Sequence, residues 1–284
     1  MPGSHEQDWD SLASIDPLWA ILSDPSKRLG RWQPDEFMAT GEHDVAYLLG
    51  VAERSGRPLE HRRALDFGCG VGRLTRALAG RFGEAVGVDV SREMTRQAKA
   101  GNAEVENIRF VHDSSPDLVQ LGPGTFDVVL SLLVLQHFPA VSAIAHTVGV
   151  LAARVGPGGV LILQVPAPVP LRHRLQPRRR LYAALRAIGV ADATLHRRLG
   201  LSPIRMNGIA QVAVRAILQS HGLAIQEVHS AIIDGTSIES LVYFRDTVTG
   251  KGPSARPPGH RRRCLRDWAA MSRGPLVAFD MRGR

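Results

Sequence analysis

From Ala64 onward, apolar runs of strand length alternate with amphipathic stretches of helix length, the pattern of repeated βα units that fold into a parallel sheet. The apolar runs predict strands over Ala64–Phe67, Ala85–Val90, Ile108–His112, Phe126–Leu133, Val160–Val165, Leu223–His229 and Ile238–Phe244. Most read as continuous Val, Ile and Leu rather than as an alternation, so they are expected to be buried on both faces. Helical periodicity falls between them, over about Leu74–Arg81, Arg92–Ala100, Pro139–Arg154 and Asn207–His221. The fold class is therefore α/β.

The segments outside this alternation differ from it and from one another. Ahead of the first strand, residues 1–58 hold Trp9, Trp19, Trp32 and Phe37 in a chain that is only 5% aromatic. They are expected to form helices packed over the sheet edge. Between Val165 and Met206 lies an insertion that opens with Pro166, Pro168 and Pro170 and continues through Arg178, Arg179 and Arg180; prolines deny it a continuous helix at its start. Beyond Arg245 the composition turns to Gly, Pro and Arg, which cannot support a packed core. This gives a helical lid over 1–58, a main domain over 59–246 with 167–205 as a cap on the substrate side, and a basic flexible tail over 247–284.

With 284 residues and 44% hydrophobic content, one large core is affordable. No uncharged apolar run of membrane-spanning length occurs, and Met1–Ser14 lacks the basic start and apolar middle of an export signal. A soluble, cytoplasmic protein without membrane contact is expected. Only Cys69 and Cys264 are present, against a disulfide framework. The histidines His61, His112, His146, His173, His196, His221 and His229 make no ligand pair at helical spacing, so no metal is expected. The net charge of +8 is unevenly placed. The stretch from Pro168 to Gly200 carries +7 and the stretch from Arg245 onward another +7, which leaves the remainder at −6. A basic pI therefore does not require nucleic acid, and with only Tyr182 available for stacking in the insertion, nucleic acid is disfavoured.

Chemistry concentrates at Asp66-Phe67-Gly68-Cys69-Gly70-Val71-Gly72-Arg73, which follows a strand and opens a helix. Its glycines let a ligand approach backbone at a helix N-terminus. A dinucleotide fingerprint needs its third glycine three residues after the second, whereas Gly72 follows Gly70 by two. Asp89 ends the second strand, where a carboxylate accepts from both hydroxyls of a ribose. Asp113, followed by Ser114, ends the third and is placed to accept from an adenine amine.

Together with Gly87-Val-Asp-Val-Ser-Arg-Glu-Met94, His112-Asp113-Ser114, Phe126-Asp127-Val-Val-Leu-Ser131 and Gly156-Pro-Gly-Gly159, that loop resembles the class I S-adenosylmethionine-dependent methyltransferases, over roughly residues 30 to 245. The resemblance implies a Rossmann-like seven-stranded sheet, six parallel strands plus an antiparallel last one reached through a hairpin at Asp234-Gly235-Thr236, with helices on both faces. It implies S-adenosyl-L-methionine as cofactor, held by Asp66, Gly68, Gly70 and Gly72 toward its methionine end, by Asp89 at the ribose, by Asp113 and Ser114 at the adenine amine, by Val90 and Met94 at the adenine faces, and by Leu132 beside the methionine chain. Val90, Met94 and Leu132 would equally serve as core residues of any α/β protein, and Asp113 as the cap of a turn.

The residues after the fourth strand, Ser131-Leu132-Leu133-Val134, lack the signatures of DNA, arginine and metal-dependent catechol methyltransferases. The implied activity is methyl transfer to an oxygen or nitrogen of a small specialised metabolite, made acidic by the insertion's arginines. An RNA or protein methyltransferase using those arginines, and a non-catalytic cofactor-binding partner protein, are the alternatives. Trp19, Trp32 and Phe37 are expected to touch the acceptor, and Thr40 and Gly41 to belong to the part of the lid that meets the cofactor; core packing is the alternative for the aromatic residues. Arg178 is expected to hold the acceptor's charge, or else to belong to a solvated face. His137, just past the fourth strand, is expected to be the base, with an ordinary pKa near 6.5, or else a packing residue.

Overall fold

The computed structural model describes residues 5–54, 59–166, 175–233 and 236–245, and for 225–233 and 236–245 the backbone alone. Three leader helices, α1 (His5–Ile15), α2 (Pro17–Ile21) and α3 (Pro34–Arg54), precede β1 (Arg63–Phe67), α4 (Arg73–Ala79), β2 (Glu84–Asp89), α5 (Arg92–Gly101), β3 (Ile108–His112) and β4 (Phe126–Ser131). After them come α6 (Val141–Ala153), β5 (Val155–Pro166), α7 (Pro177–Ala187), α8 (Asp192–Arg197), α9 (Gln211–Ser220), β6 (Leu223–Ile233) and β7 (Thr236–Arg245).

Five strands form a parallel sheet in the order β3-β2-β1-β4-β5. At the β5 edge, β7 runs antiparallel to β5 and β6 antiparallel to β7. Adjacent residues of each strand serve opposite layers. Leu65, Val86, Val129 and Leu161 pack with Ile144, Val148 and Leu151 of α6 and Val214 and Leu218 of α9. Ala64, Ala85, Val128 and Ile162 pack with Val45, Leu49 and Ala52 of α3 and Leu74 and Leu78 of α4. Both faces are thus covered, which is why these strands carry apolar residues at nearly every position.

The fifth strand starts earlier than its apolar run predicts, at Val155 rather than Val160. Phe126 pairs with Val155 and Val128 with Val160, so the glycines between them form a bulge. A Cβ on Gly159 would stand 2.9 Å from the Phe126 carbonyl oxygen, and only glycine permits that approach. Pro168, Pro170, Arg172, His173 and Arg174, the hairpin residues Asp234 and Gly235, and the tail over 247–284 lie outside the described residues.

The leader is welded to both of its neighbours. The side chain of Asp10 accepts from the Ser91 hydroxyl at 2.6 Å and from the Glu93 amide at 3.0 Å, while Ser91 itself caps α5 by accepting from the Met94 amide at 3.0 Å. On its other side Asp8 accepts from Arg186 of α7 at 2.9 Å and from Arg205 at 3.3 Å, and Ser11 donates to Asp192 at 2.7 Å. The insertion has a small core of its own, Tyr182, Leu195 and Leu201.

Helix α3 lies directly on the start of α4. Arg73 donates to Asp44 at 2.6 Å and to the Thr40 hydroxyl at 3.0 Å, and a Cβ on Gly41 would fall 2.4 Å from the Arg73 carbonyl oxygen. Backbone in the first turn of a helix cannot retreat, so Gly41→Ala should lower stability by about 1–3 kcal/mol. Gly101→Ala, where a Cβ meets nothing within 4 Å, should stay within about 0.5 kcal/mol of the parent. Urea denaturation of the two variants checks the pair.

Candidate functional site

The strand order reverses between β1 and β4, and a ligand crevice is expected beyond the carboxyl ends of the strands at such a point. A cavity of about 240 Å³ opens there. Its floor is the glycine loop after β1. The amides of Gly68 and Cys69 donate to the Val88 carbonyl at 2.7 and 3.0 Å, which pins the loop to β2. Gly68 and Gly70 have φ of +79° and +54°, and side chains there would collide with neighbours: a Cβ on Gly68 would lie 2.2 Å from Val134 Cγ2, and one on Gly70 2.5 Å from Ile21 Cδ1. The loop is a cradle that only glycine leaves open.

Asp89 stands at its edge, lining the cavity. One carboxylate oxygen accepts from the Gly70 amide and the other from the Ser91 amide, each at 2.8 Å. Each oxygen retains a second lone pair. Burial raises the Asp89 pKa above its ordinary value, opposed by those two amides. Val90, Met94, Ser114 and Leu132 also line the cavity, so the structure brings together most of the residues expected to hold a cofactor.

Five of the expected cofactor residues have other work. Asp113 reaches the cavity wall, but its carboxylate accepts from the Ser115 amide and hydroxyl and from the Gln120 and Leu121 amides. Four internal donors fill its acceptor positions, and it organises the turn after β3 instead of reading an amine. Asp66 is buried behind the loop and away from the cavity lining. One oxygen accepts from Thr75 at 2.7 Å and the other has no partner, and burial pushes its pKa up to about 6. Gly72 is the αL cap of α4 and faces Phe110 and Asn102. Thr40 donates to the Phe37 carbonyl at 2.6 Å, and with Gly41 it joins α3 to α4.

Of the expected acceptor residues, only His137 lines the cavity. Trp32 and Phe37 are 3% and 0% exposed and meet edge-to-face at 5.6 Å inside the leader, with the Trp32 indole donating to the Leu22 carbonyl. Trp19 donates to the Asp24 carbonyl and packs on His196 of α8. Arg178 is exposed and donates to the Gly200 carbonyl at 2.8 Å. These three aromatic residues hold the leader and the insertion together, and Arg178 braces the insertion.

Other residues form the acceptor side. His5 and Trp9, one turn apart on α1, line the cavity beside Phe67, Phe138 and Thr147. Their rings meet: Trp9 and His137 at 5.3 Å, His5 and Phe138 at 5.6 Å, Phe67 and Phe138 at 6.3 Å. The i, i+4 spacing of His5 and Trp9 was available in the sequence as a helical stripe. Nothing there marked it as facing a ligand rather than core.

His137 Nδ1 lies 2.8 Å from the Arg205 carbonyl oxygen. A carbonyl only accepts, so the proton sits on Nδ1 and Nε2 carries the lone pair. Burial pushes the His137 pKa down to about 4. The same cause, reinforced by Arg205 and His137, brings His5 to about 4. Both rings are neutral at pH 7, which corrects the expectation of an ordinary pKa for His137.

Residues 64–159 match the family model described as "Methyltransferase domain". The chain is 29% identical over 172 residues to a ubiquinone biosynthesis O-methyltransferase of Xanthomonas campestris pv. campestris, covering 60% of this chain and 65% of that one. It is 35% identical over 140 residues to a trans-aconitate 2-methyltransferase of Deinococcus radiodurans, covering 48% of this chain and 50% of that one. The chain thus spans less than two thirds of the length of these curated relatives. In fold it resembles the crystal structures of an N-methyltransferase from Bradyrhizobium japonicum WM9 in complex with S-adenosyl-L-homocysteine (TM-score 0.54, 17% identity, 86% and 99% of the two chains) and of a magnesium protoporphyrin IX methyltransferase from Synechocystis PCC 6803 (0.53, 20%, 85% and 98%). With the glycine cradle, the terminal aspartate of β2 and the β3-β2-β1-β4-β5 order already in place, the segment over 64–159 is a methyltransferase domain of the class I, Rossmann-like type.

Proposed function

We propose that this chain is an S-adenosyl-L-methionine-dependent methyltransferase acting on an oxygen or nitrogen of a small molecule. The observation that carries the reading is the cradle of Gly68 and Gly70 beside Asp89, opening into a largely apolar cavity at the switch point of the sheet. Its residues fit the cofactor. Gly68 and Gly70 leave backbone accessible, Asp89 offers a free lone pair on each oxygen to a ribose diol, and Val90 and Met94 supply flat apolar contact to a purine. The hairpin of β6 and β7 fits a seven-stranded sheet of this class. Residues 1–58 act as a lid and 167–205 as a cap on the acceptor side.

When bound, S-adenosyl-L-methionine supplies a methyl group already activated on a sulfonium. The protein's part is proximity, orientation and exclusion of water. Trp9 and Ile21 close the cavity from the leader side. Phe138 and Leu132 wall it from the β4 end, and Met94 from α5. His137 presents Nε2 as a hydrogen-bond acceptor in a fixed tautomer and aligns the donor group of the acceptor molecule. The arginines that suggested an acidic acceptor do not support one: Arg178 ends on a backbone carbonyl, and Arg186 and Arg205 bind Asp8.

Two measurements test these assignments. Calorimetry should show S-adenosyl-L-methionine and S-adenosyl-L-homocysteine binding in the micromolar range, and Asp89→Ala should weaken both by about 2–4 kcal/mol through loss of two charge-assisted hydrogen bonds. Unchanged affinity in that variant would remove Asp89 from the site. The second concerns His137, whose folded pKa of about 4 lies below its unfolded value of 6.5. Above pH 6.5 both states hold the ring neutral. As the pH falls from 6.5 toward 4 only the unfolded state takes up the proton, so stability is lost across that window. Relative to His137→Gln, which does not titrate, the parent should lose about 3 kcal/mol more between pH 7.5 and pH 4, read by urea unfolding at the two pH values.

A further inference from the structure

We infer that the acceptor is an uncharged planar ring bearing a hydroxyl or amine that donates to His137, seated between Trp9 and His5 of the leader and Phe67 and Phe138 of the sheet end. This rests on the methyltransferase reading of the cavity and adds the chemical class of its substrate.

Shape comes from the walls. Indole, imidazole and phenyl rings from three separate elements converge on one side of the cavity, with centroid separations of 5.3 to 6.3 Å. Aromatic rings accept a flat partner in offset or edge-to-face contact and gain from it beyond the area buried. A flexible polar chain would fill the same space without that gain.

Charge comes from what the walls carry. Among the described residues no Arg or Lys lines the cavity. The nearest cations are engaged: Arg205 and Arg186 bind Asp8, and Arg73 binds Asp44 at 2.6 Å. The two histidines that do line it are neutral at pH 7. A carboxylate entering the box would lose its water and meet no compensating cation, and a buried unpaired charge is strongly disfavoured.

Polarity comes from the tautomer. With the Nδ1 proton committed to the Arg205 carbonyl, Nε2 accepts and cannot donate. The ligand must therefore supply the hydrogen, and a ring lacking O–H or N–H leaves that nitrogen unmatched.

Three naphthalenes of similar size separate these requirements: 2-naphthol is neutral with a donor, 2-methoxynaphthalene neutral without one, and 2-naphthoate anionic at pH 7.5. Each is titrated, by ligand-observed NMR, into the full-length protein saturated with S-adenosyl-L-homocysteine. The expected result is binding of 2-naphthol at least tenfold tighter than either of the others. Trp9→Ala and the milder Trp9→Phe should weaken it in that order, and His137→Gln should erase the preference for 2-naphthol over 2-methoxynaphthalene while affinity for S-adenosyl-L-homocysteine is unchanged. A preference for 2-naphthoate, equal affinity for all three, absence of binding by all three, or insensitivity to both Trp9 variants overturns the assignment. Failure of S-adenosyl-L-homocysteine to bind at the outset would instead strike the methyltransferase reading on which it rests.

Discussion

The acceptor side of this molecule depends on two aspartates, two residues apart on one short helix. Successive residues of an α-helix are turned by about 100°, so Asp8 and Asp10 project from nearly opposite faces of α1. Asp10 reaches the free amides and the cap of α5, where a carboxylate meets the positive end of a helix. Asp8 reaches Arg186 and Arg205 in the insertion. The helix is clamped between the cofactor half of the sheet and the cap over the acceptor. The face between the clamps carries His5 and Trp9 into the cavity. Asp8 is nearly buried, and its pKa rises because desolvation outweighs both arginines. Such a pair gives little net stability against an apolar substitute and much against loss of one partner; its contribution is to fix where α1 sits.

How much of this could be read from sequence follows from what each residue's role depends on. The βα alternation and the glycine loop are local: strand propensity, helix periodicity and the need for glycine act over a few neighbours, and the structure places these elements within a few residues of expectation. Asp89 was legible for the same reason, since a carboxylate that closes a strand beside a glycine loop has one direction to point. Asp113 looked equivalent but is not. Whether a carboxylate at a strand end faces a ligand or its own turn depends on the path of the chain after Ser115, which no local rule fixes. Trp32 and Phe37 were chosen for aromaticity, and burial claimed them. His5 and Trp9 shared that aromatic density, yet only the docking of α1 between two partners distinguishes a ligand-facing stripe from a core-facing one.

The arginines of the insertion illustrate the same difference between composition and placement. Their density in the chain suggested an anion site. In the folded protein Arg186 and Arg205 attach the cap to the leader, Arg178 braces the loop at Gly200, and Arg28 stacks over Trp19 at 5.0 Å while donating to the His196 carbonyl at 2.5 Å. A guanidinium has five donors in a fixed plane and bridges backbone carbonyls as readily as it binds carboxylates. Sequence reports the charge. Only the fold shows that it has been used to assemble the walls of a cavity that is itself apolar.

That apolar cavity constrains how His137 contributes to chemistry. Consider an acceptor hydroxyl with a pKa near that of tyrosine, about 10, facing an imidazole whose conjugate acid has been pushed down to about 4. Moving the proton before any other bond changes would be uphill by roughly six pKa units, about 8 kcal/mol. A general base works best with a pKa near the operating pH, so His137 is poorly matched to early deprotonation. The balance shifts once the acceptor oxygen begins to share a lone pair with an incoming methyl group, because the growing positive charge makes its proton strongly acidic. Transfer to Nε2 then becomes downhill at the stage where it relieves charge in a low-dielectric site. Burial thus converts His137 from a base that activates the nucleophile into an acceptor that orients it first and collects the proton late. Most of the rate enhancement is left to the geometry enforced by the cradle and the clamped leader helix.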